Sequence, residues 1–315
     1  MGRATATLGK ADLRTARPPR SAKREEARTG LLLVAPVVLL VAAFTLYPFG
    51  HAIFESMQLS SPILPPRFVG LENYRDVVTS PYFLDAVRAT SLFAIVTVPI
   101  LVVLGLLVAL LLNERFLGNR VLRVGMLLPW AIPASVTGII WKWIFLDSWG
   151  ALNALLYAMG IIGHYVAWLT TPALAVMAVV IAFVWAQLPL AAVLLLAALQ
   201  AVPDELYEAA GIDGADAVGR FWHVTLPGVR PMLVIVALYE MLMALTSFDI
   251  TYSLTHGGPG TATTMLTYFT WSESFKMLNF GNGSALAIVT ALTSLLAIFA
   301  ILRALPRDAL LGEAR

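Results

Sequence analysis

Ionisable side chains are rare within the long apolar stretches of this sequence, so the few that occur there are the first candidates for chemistry. Lys142 lies near the end of one stretch, and Glu240 and Asp249 lie nine residues apart in another. Burying a charge is costly unless it faces a cavity or a partner, so these groups could bind a polar solute. The alternatives are a Lys142 side chain that reaches back to water, and two acids that form hydrogen bonds between packed helices.

Aromatic and amide side chains near these residues would suit a solute rich in hydroxyl groups. Trp185 and Gln187 combine a stacking surface with an amide, and Phe248 and Tyr252 flank Asp249. For this reason we favour Asp249 over the earlier acid, which would project from the opposite side of one continuous helix at about 100° per residue. The alternative for the tryptophan is a packing or interfacial role, which is the more common one within an apolar helix.

Nucleotide and metal chemistry has no motif in this sequence. The four lysines are Lys10, Lys23, Lys142 and Lys276, and only Lys10 follows a glycine. Because Ala11 comes next, there is no GxxxxGK[ST] loop to hold nucleotide phosphates. The sequence contains no cysteine, and its four histidines are too scattered to suggest a metal site. We therefore predict no catalytic residue, metal or cofactor in this chain.

The elements that must position these side chains are long apolar helices. Of the 315 residues, 59% are hydrophobic and only 13% are charged, and residues 148–203 contain no Asp, Glu, Lys or Arg. About 20 apolar residues cross a bilayer as a helix, in which every backbone group finds its partner internally. The sequence predicts an all-α polytopic membrane protein. Its six predicted spans are at about 31–54, 88–112, 124–146, 173–199, 231–255 and 281–302.

The apolar segment 148–170 is interrupted by Gly160 and Gly163. We interpret it as a hairpin at the membrane interface, and a seventh span is the alternative. The aromatic residues that would suit the headgroup zone are Trp149, Tyr157, Tyr165 and Trp168.

The distribution of Lys and Arg predicts the orientation in the membrane. Residues 1–28 carry eight of them and are expected to form a disordered tail, and residues 113–123 carry three. Because positive loops stay inside, both termini and the loops 113–123 and 200–230 are expected to be cytoplasmic. Residues 29–303 would form the transmembrane domain, and residues 304–315 a cytoplasmic C-terminus.

The longest predicted cytoplasmic loop is unusually acidic. The segment 203–227, called here the acidic segment, contains five of the nineteen acids of the chain within thirteen residues. Asp204 and Asp216 are expected to cap two short helices, with a left-handed turn at Gly214 and an end before Pro227. A lipid anchor would be polybasic, so a protein partner is expected. The alternative is a surface helix-turn-helix that only connects two spans.

The acidic segment resembles the EAA signature of the permeases of binding-protein-dependent ABC importers. That signature is EAA, three residues, Gly, nine residues, Ile, any residue, Leu and Pro. Val224 replaces the isoleucine, and the other positions match. The matching residues are Glu208, Ala209, Ala210, Gly214, Leu226 and Pro227.

The resemblance implies a coupling helix that docks on a cytoplasmic ATPase dimer, with Phe221 and Trp222 as anchors. ATP and Mg²⁺ would bind that partner and not this chain. The resemblance further implies a second permease, which we expect to be a different chain, and an extracytoplasmic solute-binding protein. No nucleic acid is expected.

Other segments resemble the maltose-type group of these permeases. They are residues 68–74 (FVGLENY), 199–203 (LQAVP) and 254–259 (LTHGGP). The group takes up sugars, so the resemblance implies import of a sugar, for example the disaccharide trehalose, across a bacterial cell membrane. A glycerol-phosphate importer of the same type is an alternative. No span carries an arginine cluster, which argues against a strongly anionic solute.

Two other classes of protein remain open from the residues alone. An ion-coupled secondary transporter would use Glu240 and Asp249 as relay groups, and would need no ATPase. A membrane scaffold would transport nothing. Binding of an ATPase subunit, or its absence, distinguishes these classes.

Overall fold

The computed structural model describes residues 20–114 and 116–304. Most of the predicted N-terminal tail and of the predicted C-terminus lies outside these residues. The chain divides into two units, residues 1–51 and 52–315.

The described residues contain five helices that are long and apolar enough to cross a membrane, and a bent pair of helices that forms a sixth candidate span. The five are Arg28–Glu55, Pro81–Asn113, Pro172–Gln200, Ala217–Leu245 and Phe280–Arg303. The bent pair is Asn119–Ala131 with Ala134–Ile144. The prediction of a mainly helical, polytopic membrane protein is confirmed.

Shorter helices and irregular turns connect and interrupt these spans. In chain order the helices are α1 (Arg20–Val41), α2 (Tyr47–Glu55), α3 (Glu72–Thr79), α4 (Pro81–Asn113), α5 (Asn119–Met126), α6 (Leu128–Ala131), α7 (Ala134–Ile144), α8 (Ala151–Ala158), α9 (Pro172–Gln200), α10 (Asp204–Ile212), α11 (Ala217–Arg220), α12 (Leu226–Leu245), α13 (Asp249–Leu254), α14 (Leu266–Trp271) and α15 (Phe280–Ala304). Single π-helical turns lie at Ala42–Leu46, Phe221–Thr225 and Ser272–Lys276.

A small antiparallel hairpin, which the all-helical prediction missed, precedes α3. Its strands are β1 (Gln58–Ser61) and β2 (Leu64–Phe68). The Asn73 side chain donates to the carbonyls of Ser56 and Gln58, both at 2.8 Å. The Asn and Tyr of the FVGLENY segment thus hold the hairpin, because the Tyr74 hydroxyl also lies 2.6 Å from the Ser56 hydroxyl.

The core of the second unit forms where α4 packs along α9. A methyl group at Gly105 would lie 3.2 Å from the Cβ of Ala191, so the two backbones approach closely there. Small residues permit such an approach between membrane helices. Phe93 and Phe183 meet edge to face in the same interface, with ring centroids 5.0 Å apart.

The third predicted span is bent by 96° between α6 and α7. Ile132 is extended, with ψ of 131°, and Pro133 begins the next helix as its N-cap. A residue that precedes proline avoids the helical region, because the proline ring clashes with it. The predicted span 124–146 is therefore a bent pair, with α5 and α6 on one side of the bend and α7 on the other.

The fifth predicted span, 231–255, differs from the structure in the same way. Helix α12 ends at Leu245, and α13 begins only at Asp249. The carbonyl of Ser247 in the break accepts a hydrogen bond from the Thr267 hydroxyl at 2.5 Å. Because Glu240 and Asp249 lie on different helices, the argument that they project from opposite sides of one helix was wrong.

The segment 148–170 forms no helix long enough to cross a membrane. Helix α8 has eight residues, about 12 Å, and the chain then folds back. The buried Asn153 side chain accepts from the Val166 backbone at 3.1 Å and from the Trp168 indole at 2.8 Å. The fold-back agrees with the hairpin interpretation and not with a seventh span.

Candidate functional site

A cavity of about 560 Å³ opens where both broken spans are interrupted. Cavities of this size suit a small solute. Gln187 of α9 contributes an amide to its lining, and Asp249 contributes a carboxylate. The other lining residues are Trp130, Ala131, Ile132, Pro133, Ala134, Phe183, Ala186, Met243, Thr246, Ser247, Phe248 and Ile250.

The cavity lies where two helices are interrupted, and an interrupted helix leaves polar backbone groups without their partners within the helix. The bend at Pro133 provides one wall, and the break between α12 and α13 provides another. Irregular backbone at membrane depth is tolerated where it is buried in protein or lines a cavity.

Three of the predicted pathway residues line the cavity and three do not. Gln187, Phe248 and Asp249 line it. The Trp185 ring instead packs against the Trp141 ring, with centroids 5.9 Å apart. Glu240 and Tyr252, described next, also lie outside the lining.

Glu240 is fully buried in α12. Within the part of the chain that the structure describes, neither of its carboxylate oxygens has a hydrogen-bond partner. Burying a polar group without a hydrogen-bond partner costs free energy, so the Glu240 carboxyl group is destabilising in the isolated chain.

Tyr252 belongs to a group of four rings that we call the aromatic cluster: Phe248, Tyr252, Tyr268 and Trp271. Phe248 stacks on Tyr252 with centroids 5.2 Å apart, and Trp271 meets Tyr252 edge to face at 4.8 Å. Phe248 also lines the cavity, so the aromatic cluster adjoins it. The sequence analysis missed Tyr268 and Trp271, although their spacing of three on one short helix was a usable signal.

Lys142 and His256 lie side by side at the far end of the aromatic cluster. The His256 ring is perpendicular to the Tyr252 ring at 5.5 Å, and Lys142 Nζ lies 3.5 Å from His256 Nε2. Lys142 therefore lies next to His256, whereas the alternative of a side chain that reaches back to water had assigned it no neighbour in the protein.

The acidic segment forms one short helix and then joins the next span. Pro203 is the N-cap of α10, and Asp204 occupies its first turn without a capping hydrogen bond, so that predicted cap was wrong. The other cap is present: Asp216 accepts from the Gly219 amide at 2.7 Å. Gly214 has a φ of 82°, as the predicted left-handed turn requires.

The second predicted short helix does not end before Pro227. Helix α11 runs through the π turn into α12, so that Ala217–Leu245 is one continuous helical span. The Leu226 amide donates five residues back, to the Phe221 carbonyl. This wider turn lets the helix continue past a proline that has no N–H to donate.

Apolar side chains along the acidic segment are exposed. Trp222 is 58% exposed and Ile212 is 87% exposed. Leu206 and Val218 are also exposed, and so are Glu208 and Ala209. Such apolar exposure on a polar segment typically marks a surface that another protein covers.

Two contacts join this exposed surface to the span. The Tyr207 hydroxyl lies 3.2 Å from the Thr225 hydroxyl, which connects α10 to the π turn. A methyl group at Gly228 would lie 2.8 Å from Val202 Cγ2, so the start of α12 also packs closely on the chain before α10. α10 and the chain before it are therefore in direct contact with the helical span Ala217–Leu245.

A second cavity, of about 890 Å³, lies beside the acidic segment. Asp204 and Tyr207 line it, together with Arg120 and Arg123 of α5. Arg123 Nη2 donates to the Leu112 carbonyl at 2.6 Å, which satisfies the end of α4.

Residues 20–114 and 116–304 contain no group of three His, Asp or Glu side chains that could hold a metal ion. The prediction that this chain has no cofactor of its own remains a prediction.

Comparison with known proteins gives a consistent set of relatives. The profile of the family described as "binding-protein-dependent transport system inner membrane component" matches residues 78–307. The trehalose/maltose transport system permease protein MalF of Thermococcus litoralis is 39% identical over 269 residues, 85% of this chain and 90% of the relative. The sulfoquinovosyl glycerol transport system permease protein SmoG of Agrobacterium fabrum is 37% identical over 262 residues, 82% of this chain and 84% of the relative.

A solved structure shows the same fold. A chain of a bacterial alginate ABC transporter, in complex with alginate pentasaccharide-bound periplasmic protein, matches with a TM-score of 0.76. The match covers 91% of this chain and 96% of that chain, at 19% identity.

Proposed function

The chain belongs to the family of binding-protein-dependent transport system inner membrane components, and we propose that it is the permease subunit of an ATP-driven sugar importer. The observation that carries this proposal is the acidic segment, an exposed surface directly continuous with a span that ends at a solute-sized cavity. One continuous helix thus links the surface to the cavity.

In this proposal the acidic segment docks on a cytoplasmic ATPase dimer. Glu208, Ala209, Ala210 and Gly214 form the docking helix and its turn, and Phe221, Trp222, Leu226 and Pro227 connect it to α12. Moving a two-state equilibrium from 1:99 to 99:1 requires about 5.5 kcal/mol of differential binding. Burial of a large apolar side chain contributes about 1.5–3 kcal/mol. If the partner covers the exposed Leu206, Ile212, Val218 and Trp222 in only one of the two states, their burial can supply that amount.

The cavity is proposed as part of the solute pathway. Phe248 offers an aromatic face, and Gln187 and Asp249 offer hydrogen bonds to hydroxyl groups. Glu240 and Trp185 would act indirectly, Glu240 through a group outside this chain and Trp185 by packing. Tyr252 would meet the solute outside the cavity.

The solute is proposed to be a sugar or glycoside. Of the two curated relatives above, one is named for trehalose and maltose and the other for sulfoquinovosyl glycerol. Trehalose is one candidate among these, and a glycerol phosphate remains the alternative solute. The binding protein, the ATPase dimer and a second, different permease complete the proposed importer, with both termini of this chain in the cytoplasm.

The test is purification of the tagged chain from its native cells, followed by reconstitution of the complex in liposomes. We expect an ATPase subunit to co-purify, and ATP hydrolysis to rise when solute-loaded binding protein is added. A thermal-shift screen of that binding protein against neutral sugars, acidic sugars and glycerol phosphates would identify the solute. Solute uptake by the chain without an ATPase would instead indicate a secondary transporter and would overturn the proposal.

A further inference from the structure

The aromatic cluster and the Lys142–His256 pair form one continuous surface that the cavity alone does not explain. Phe248 lines the cavity, and the Tyr252 ring stacks on the Phe248 ring. The His256 ring is perpendicular to the Tyr252 ring, and Lys142 lies next to His256. Tyr252 is 37% exposed and His256 is exposed, so this surface is open to a ligand.

Several contacts hold Lys142 and His256 in place. Helix α7, which carries Lys142, packs closely on α13, because a methyl group at Gly138 would overlap the Ser253 hydroxyl. His256 has a φ of 51° just after α13, and its amide donates to the Thr251 carbonyl at 3.0 Å. The backbone at His256 is thereby held in a conformation that a residue with a Cβ rarely adopts.

The electrostatic surroundings of His256 are positive. Partial desolvation lowers the pKa of His256 below its usual value, and the charges of Lys142 and Lys276 lower it further. A bound anion would offset the positive charges of Lys142 and Lys276 and would favour protonation of His256. The sequence argument against an anionic solute considered arginine clusters within single spans, whereas these groups come from three separate elements.

We propose that this surface is an outer subsite for an anionic glycoside, in which Tyr252 and Trp271 stack on a sugar ring and Lys142 and His256 bind its carboxylate, sulfonate or phosphate group. Aromatic rings stack on the apolar face of a sugar, and hydrogen bonds between charged groups are stronger than neutral ones. The inference rests on the proposed function, because it assigns the class of sugar to the same importer.

The positions of the charges also define an orientation for the ligand. Asp249 lines the cavity at the inner end of the aromatic cluster, and Lys142 lies at the outer end. The anionic group would therefore point away from the cavity, and the hydroxyl groups of the sugar would point toward Gln187 and Asp249.

The experiment compares methyl glucuronide with methyl glucoside, which lacks the charge. The complete importer, reconstituted in lipid nanodiscs without binding protein, is titrated with each compound, and dissociation constants are obtained by saturation-transfer-difference NMR. We expect the glucuronide to bind about tenfold more tightly, as a charged hydrogen bond predicts. Lys142→Gln and His256→Gln should each remove that preference, whereas Lys142→Arg should keep it.

Controls separate this inference from general charge effects. Arg88→Gln removes an exposed cation of α4 that pairs with Asp85 at 3.9 Å and lies outside the proposed subsite. It should leave the preference unchanged. Tyr252→Leu should weaken both compounds, since the stacking surface serves both.

Equal affinities for the two compounds would overturn the inference, and so would a preference that survives Lys142→Gln. Stimulation of ATP hydrolysis by loaded binding protein, measured on the same wild-type preparation, reports the proposed function separately. If stimulation is present and the preference is absent, the outer subsite is wrong and the importer proposal stands.

Discussion

The Tyr207 and Thr225 hydroxyls lie 3.2 Å apart and join the exposed helix α10 to the π turn within the helical span Ala217–Leu245. Apart from the chain itself, this hydrogen bond is a direct link between α10 and the span that contains α12. A link of this kind is what a lever requires, because a helix pushed by a partner moves a span only if the two are connected.

Tyr207→Phe removes one side of that link and leaves the ring in place. A single hydrogen bond contributes about 1 kcal/mol, so we expect solute uptake per ATP hydrolysed to fall about fivefold while the ATPase subunit still binds. Tyr157→Phe, on α8, is the matched control and should leave the ratio unchanged. An unchanged ratio of solute uptake to ATP hydrolysis in Tyr207→Phe would show that this hydrogen bond does not contribute to coupling.

The break that opens the cavity depends on Thr267, whose hydroxyl satisfies the Ser247 carbonyl. Thr267→Val leaves that carbonyl unpaired at a cost of about 1–3 kcal/mol, so the melting temperature in detergent should fall by several degrees. Thr270→Val on the same helix removes only a bond to the Leu266 carbonyl, within α14. A drop as large in Thr270→Val would contradict a special role for Thr267.

Close packing of α7 on α13 predicts a compensating pair of substitutions. Gly138→Ala would overlap the Ser253 hydroxyl and should destabilise the protein by about 1–3 kcal/mol. Gly138→Ala combined with Ser253→Ala removes part of the overlap and should recover part of the loss in melting temperature. Gly125→Ala, where nothing lies within 4 Å, is the control. Independent, additive effects at 138 and 253 would contradict the contact.

The lowered pKa of His256 predicts a loss of stability in acid. The unfolded chain binds a proton near pH 6.5, and the folded chain binds it only at lower pH, because of desolvation, Lys142 and Lys276. The stability of the neutral form is present above about pH 6.5 and is lost as the pH falls through the folded pKa. Melting temperatures from pH 8 to 5 should fall less in His256→Gln than in the wild type. Parallel curves would contradict this.

Hydropathy predicted long apolar helices close to the candidate spans of the structure, but it did not predict where two of them are interrupted. Residues 231–255 are apolar on average, and that average hid the polar run TSFD at 246–249, where α12 has stopped at Leu245 and α13 begins at Asp249. The break is stabilised by Thr267, which lies in another helix. Pro133 was a visible signal, since proline acts locally on the residue before it.

Individual residues of the candidate site, Gln187 among them, were predictable from the sequence, but contacts between distant residues were not. Phe248, Asp249 and Tyr252 were identified together because they lie within five residues. The Lys142–His256 contact joins residues 114 positions apart, and only the packing of α7 on α13 brings them together. Trp185 had an aromatic ring of the right kind, but it packs against the Trp141 ring and does not line the cavity.

The most direct test of the account is solute-stimulated ATP hydrolysis in variants of the acidic segment. Glu208→Lys reverses an exposed charge on α10, and Gly214→Asp places a side chain at a φ of 82°. Asp76→Lys, an exposed charge reversal on α3, is the control. We predict that both variants of the acidic segment abolish the stimulation by loaded binding protein and that Asp76→Lys retains it. Full stimulation in Glu208→Lys and Gly214→Asp would contradict the claim that this segment couples the permease to its ATPase.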